Sequence, residues 1–171
     1  METNKDTAVA AGEKQVSITR VIDAPRQLVF EAWTDPQHLL RWYAPNNCTF
    51  RIKEIEVVPG GQFLHCITNP QFGDCWCKGV YHEIVEPERI VFSLNLSDEN
   101  GNDVTGAEVG HHHDWPSKTM VTVTLTEQDG KTILRLDQNV PEALAKQTGA
   151  HPSWLQMLDK LEHELKKDLG K

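Results

Sequence analysis

Ser153-Trp154-Leu155-Gln156-Met157-Leu158-Asp159-Lys160-Leu161-Glu162-His163-Glu164-Leu165 places its apolar residues at helical spacing. Trp154, Leu158, Leu161 and Leu165 form one stripe, widened near its start by Leu155 and Met157, while Asp159, Lys160, Glu162, His163, Glu164 and Lys166 cover the opposite side. Ser153 with Gln156 matches a capping box, which predicts a helix start there, and Gly170 is expected to stop it. A helix with one apolar face must lay that face on another element.

Upstream the chain reads as strands. Val16, Ile18 and Ile22 alternate with polar residues, the period of a half-buried strand. Asp23 and Pro25 then predict a helix start for Leu28, Val29, Ala32 and Trp33, and Asp35-Pro36 a second, short helix carrying Leu39, Leu40 and Trp42. Phe50 and Ile52 fall out of phase with Ile55 and Val57, which predicts a β-bulge between Cys48 and Val58. Pro59-Gly60-Gly61 and Asp129-Gly130 are turn signals. Strands are expected over 62–68, 75–85, 89–96, 118–126 and 132–140. The expected order is one strand, two helices, six strands and a helix. This is an α+β helix-grip arrangement, a curved antiparallel sheet of about seven strands around the C-terminal helix.

The 171 residues suit a single domain, expected over 15–171 behind a flexible tail at 1–14. That tail has no secretory pattern, so the chain is read as cytoplasmic, with its four cysteines as free thiols. A net charge of −8 opposes a phosphate backbone, and no apolar run reaches the ~20 residues of a membrane span. Neither nucleic acid nor membrane insertion is expected.

Val21-Ile22-Asp23-Ala24-Pro25-Arg26-Gln27-Leu28-Val29-Phe30-Glu31-Ala32-Trp33-Thr34-Asp35-Pro36 resembles the opening of the family related to the C-terminal domain of the activator of Hsp90 ATPase. Trp42-Tyr43-Ala44-Pro45, Pro59-Gly60-Gly61, Gly79-Val80-Tyr81-His82-Glu83-Ile84, Pro87-Glu88-Arg89-Ile90 and the segment from Ser153 to Leu161 are similar to later parts of it. The resemblance spans about 16–169 and implies the START-like, Bet v 1-like (SRPBCC) superfamily fold. That superfamily includes small-molecule binders, cyclases and co-chaperones, so the resemblance alone does not fix an activity. The insertion from Ser97 to Ser117 and the Cys75-Trp76-Cys77 run depart from the family pattern.

The first functional expectation is an apolar cavity of at least ~300 Å³ between sheet and helix. Trp42, Phe63, Trp76, Tyr81, Met120, Leu134, Leu155 and Leu158 are its candidate lining, and Cys75, Cys77 and Gly79 are small enough to leave space. Its partner is an apolar small molecule, with no cofactor. A chaperone-associated interaction protein is the second reading. A cyclase-like or hydrolytic enzyme is the third, with Glu83 and His65 as candidate acid or base and His82 and Arg135 as further raw material. No nucleophile elbow, phosphate loop or zinc-protease helix is present in the sequence.

No metal site is assigned. Cys75 and Cys77 share a strand face, and His111 to His113 sit in a polar loop, so Cys75, Cys77, His111 and His113 are the residues a metal would use. The 97–117 segment is read as a mobile flap with Trp115 as gate at the cavity mouth. Imidazolium–carboxylate pairing is expected to order it as pH falls toward 6.

Overall fold

The computed structural model describes residues 13–169. The elements run β1 (Gln15–Ile22), α1 (Arg26–Thr34), α2 (Pro36–Trp42), β2 (Thr49–Ile55), β3 (Gln62–Asn69), β4 (Gly73–Val85), β5 (Arg89–Ser97), β6 (Lys118–Gln128), β7 (Lys131–Pro141), α3 (Glu142–Thr148) and α4 (Ala150–Leu169). The seven strands make one sheet in the order β1-β7-β6-β5-β4-β3-β2, every neighbouring pair antiparallel. The sheet is open, with β1 and β2 as its edges.

Alternation along the strands builds the core. On β6, Val121, Val123 and Leu125 are buried, and on β7, Leu134, Leu136 and Val140. Against this face α4 lays Trp154, Met157, Leu158, Leu161 and Leu165. Polar ties fix the helix at both flanks. Arg20 of β1 reaches Asp159 and Glu162, Lys160 Nζ donates to Ala44 O at 2.8 Å, and Gln156 Oε1 accepts from the Asn46 N–H at 2.9 Å.

The helix-grip reading holds, with differences at helix ends. One helix was expected after the sheet and two are present. Pro141 leads directly into α3, and Gly149, at φ +89°, separates it from α4. Ser153 is therefore no N-cap. It lies inside α4, where its N–H and its hydroxyl both donate to Gly149 O, so the capping-box reading fails. Asp23 likewise does not cap α1, which begins after Pro25 without a side-chain cap. Asp35 does cap α2, accepting from the Gln37 N–H at 2.9 Å. The expected bulge in β2 falls between Ile52 and Glu54. At the Asp129-Gly130 turn both residues have positive φ, the backbone of a type I′ hairpin. The tail at 1–14 lies outside the described residues apart from Glu13 and Lys14, and so does Gly170.

The 98–117 connection is built rather than featureless. The Asp98 carboxylate accepts from the N–H groups of Asn100 and Asn102 and from Asn102 Nδ2, which holds it below the usual carboxylate range. Lys53 and Lys78 tie this turn to the sheet through Glu99 O, Gly101 O and Asp103. Thr105 and Glu108 then exchange backbone-to-side-chain bonds, a reciprocal cap on the 3₁₀ turn at Ala107–Val109.

Candidate ligand cavity

A cavity of about 170 Å³ lies between the concave face of the sheet and the start of α4. Its sheet wall comes from His65 and Ile67 on β3, Cys75 and Cys77 on β4, Leu94 and Leu96 on β5, Thr119 on β6 and Gln138 on β7. α4 adds Ala150, Ser153, Trp154 and Met157. Tyr43 closes one side, and His111 and Trp115 of the long connection close another.

Three polar features punctuate this apolar wall. First, Trp154 Nε1 donates to Gln138 Oε1 at 3.0 Å and Gln138 Nε2 donates to Thr119 Oγ1 at 2.9 Å. This buried chain joins α4 to β7 and β6 and leaves the Thr119 hydroxyl with its own proton to give. Second, His65 is stacked on Phe63, centroids 4.9 Å apart, with Phe50 and Tyr43 against its other sides. Burial lowers its pKa to about 4, so the ring is neutral near pH 7, and its Nδ1 has no hydrogen-bond partner among the described residues. Third, Cys75 and Cys77, two residues apart on β4, both line this space. Burial also pushes the Tyr43 hydroxyl well above its ordinary pKa.

A second space of about 20 Å³ sits behind the first, lined by Trp33, Phe50, Phe63, Tyr81 and Phe92. It is large enough only for a water-sized group, and Tyr43 and His65 belong to the walls of both spaces.

The expected lining is largely displaced. Phe63 and Tyr81 border the small space, and none of the eight candidates lines the larger one. Trp76 lies on the outer face, half-buried beneath the Arg51 guanidinium at 5.0 Å from its ring, because its neighbours Cys75 and Cys77 point inward. Met120 points outward for the same reason, between the buried Thr119 and Val121. Trp42 is sealed in the core, its indole N–H on Ala32 O at 2.9 Å. Leu134 and Leu158 are core residues and Leu155 packs beside them. Gly79 leaves no space either, because the Phe63 ring and Ser93 O occupy the place of its missing Cβ. The cavity is also smaller than the expected ~300 Å³.

Of the acid–base candidates only His65 reaches the cavity. Glu83 is on the other face, accepting from Arg89 Nε at 2.8 Å, His82 is exposed, and Arg135 pairs with Asp137. In the long connection His111 packs on Trp115, centroids 5.0 Å apart. The donor atoms that lie within 4.8 Å of one another are those of His112, His113 and Asp114, not His111.

A family model described as Activator of Hsp90 ATPase homolog 1-like protein matches residues 23–166. The chain belongs to that family. Among solved structures, a protein from Arthrobacter aurescens superposes with a TM-score of 0.77 at 20% identity, covering 92% of this chain and 89% of that one. A Staphylococcus epidermidis protein gives 0.75 at 20%, covering 91% and 92%. The AHSA1 protein from Silicibacter pomeroyi gives 0.70 at 16%, covering 91% and 99%. These likenesses show that the fold is shared. No curated protein matches the chain. Among the described residues no helix is long and apolar enough to cross a membrane.

Several cavity residues of this family member were missed in the sequence. Leu94 and Leu96 follow the period-2 alternation of β5 and were legible as inward-facing. Gln138 and Thr119 carried no such signal, because a polar residue at a core-facing position is read as a loss of pattern. Tyr43 lies just past α2, where periodicity has ended.

Proposed function

We propose that this protein binds a small apolar molecule of about one ring in the cavity between the sheet and α4. The observation behind this is a solvent-connected, mostly apolar cavity of about 170 Å³ at the family's sheet–helix junction, with the Thr119–Gln138–Trp154 chain on its wall. A dry engineered cavity of about 150 Å³ accommodates benzene, which sets the scale of the guest. A free hydroxyl donor at Thr119 favours a ring that carries one acceptor. Trp115 stands at the mouth as the gate.

Titration with 4-methylphenol tests this reading. Saturable quenching of tryptophan fluorescence is expected, since Trp115 and Trp154 both border the cavity. Native mass spectrometry should show one ligand per chain. Linear, non-saturating quenching up to millimolar concentrations would refute it.

A further inference from the structure

Cys75 and Cys77 are residues i and i+2 of one strand, so both side chains project from the same face of the sheet. That face is the cavity wall, and both residues line the space. Cys77 is half-buried, whereas Cys75 is exposed. Reagents in solution therefore have a path to the pair.

Direct oxidation of this pair is disfavoured by the strand. Two residues along a strand separate the Cα atoms by ~6.6–6.8 Å, at the upper end of what a disulfide spans. A bridging atom between the sulfurs relieves that constraint. Zinc is a poor candidate, since it requires four ligands, and no carboxylate lines the cavity. His65 and His111 border the same space, but neither completes a compact three-donor group with the two thiols among the described residues. What remains is two soft donors facing an apolar space.

We propose that Cys75 and Cys77 form a chelating dithiol for a soft, thiophilic centre of low coordination number, of the kind presented by monovalent copper or trivalent arsenic. With copper(I), two S–Cu bonds form and two thiol protons leave to solvent. With an arsenoxide, two S–As bonds form, the As–O bond breaks, and the oxygen leaves with both thiol protons as water. Neither step changes an oxidation state. An organic substituent on the arsenic faces Ile67, Leu94 and Met157. The chelate shares the cavity with the proposed ligand but needs only the two sulfurs, so loss of 4-methylphenol binding leaves it standing.

The test uses the reduced full chain with phenylarsine oxide in one arm and copper(I), buffered by a competing chelator, in the other, with zinc(II) alongside. Intact mass should show one phenylarsenic group replacing two hydrogens. Iodoacetamide labelling should fall at Cys75 and Cys77 and persist at Cys48. Cys75→Ser and Cys77→Ser should each weaken capture by about 10²–10⁴-fold, the advantage of the second, intramolecular contact. Cys48→Ser should leave capture unchanged. Capture of either soft probe with this variant pattern supports the proposal, and the arm that responds names the ion. Failure of both probes, full affinity in a single serine variant that keeps wild-type circular dichroism, or zinc capture as strong as copper would overturn it.

Discussion

An imidazole packed among Phe50, Phe63 and Tyr43 has exchanged water for aromatic rings, and the neutral form is the one that environment accepts. The ordinary histidine value is about 6.5, and His65 in the folded chain sits at about 4. As pH falls below 6.5 the unfolded chain binds the proton first, so stability is unaffected above that value and declines between pH 6.5 and 4. The full loss is roughly 3 kcal/mol, reached below pH 4. His65→Gln should flatten this part of the curve. Urea unfolding of both proteins from pH 7 to pH 4 checks it, and parallel declines would contradict the assignment. Gly79 is a second residue whose neighbours decide its cost. A Cβ there would lie 1.9 Å from Ser93 O and 2.4 Å from the Phe63 ring, so Gly79→Ala should destabilise by about 1–3 kcal/mol through forced overpacking, read as a lower urea midpoint. Both sites show how far single residues were legible. The period-2 rule alone excludes Trp76 from any face that holds Cys75 and Cys77, so its outward position was available in the sequence. The meeting of Phe63 with Gly79 depends on cross-strand register between β3 and β4, which no local pattern encodes.

The helix α4 was the clearest element in the sequence and also the one whose start was misplaced. Its apolar stripe is a property of the helix itself, whereas its beginning is set by Gly149 and by contacts with α3, and those depend on where the chain turns after β7. What anchors the correct start is tertiary. Gln138→Leu removes the acceptor of the Trp154 indole and the donor to Thr119, leaving two polar groups without partners in a buried setting. A loss of about 2 kcal/mol is expected in urea unfolding. The long connection carries the opposite lesson. Its histidines suggested that acid would order it, through pairing with Asp98, Glu99, Asp103, Glu108 and Asp114. In the structure His111 is half-buried against Trp115, and burial, followed by repulsion from His112, lowers its pKa. The groups facing it across the cavity are His65, Cys75, Cys77 and Tyr43, with no carboxylate among them. Protonation therefore favours the state in which His111 leaves the wall. Protection factors over 106–115, measured against the slower base-catalysed intrinsic rate at the lower pH, should fall from pH 8 to pH 6. Stronger protection at pH 6 would restore the acid-ordering expectation.

At the scale of the whole molecule, the sheet and α4 enclose more space than their side chains fill, and that space has two opposing explanations. A packing defect costs stability without return, since its lining atoms forgo contacts that a filled core would make. A binding site incurs the same cost and recovers it when occupied. The fold, legible from the order of strands and the amphipathic helix, has this space at its sheet–helix junction in this structure. Its size and polar lining depended on where Trp154, Gln138 and Met157 come to rest, which sequence periodicity does not specify. Leu94 separates the two explanations, because it borders the cavity from β5 and lies opposite Thr119 in the neighbouring strand. Leu94→Phe should fill part of the space and raise stability by about 0.5–2 kcal/mol in the absence of ligand. Binding only to the folded state adds about 2.7 kcal/mol at a hundredfold excess over the dissociation constant, which for a chain of this size raises Tm by roughly 5–10 °C. Wild-type protein with 4-methylphenol at that excess should show the rise, and the phenylalanine variant should start higher and move little. If the variant gains stability while the wild-type midpoint ignores the probe at every concentration, the cavity is a defect and the binding proposal falls with it.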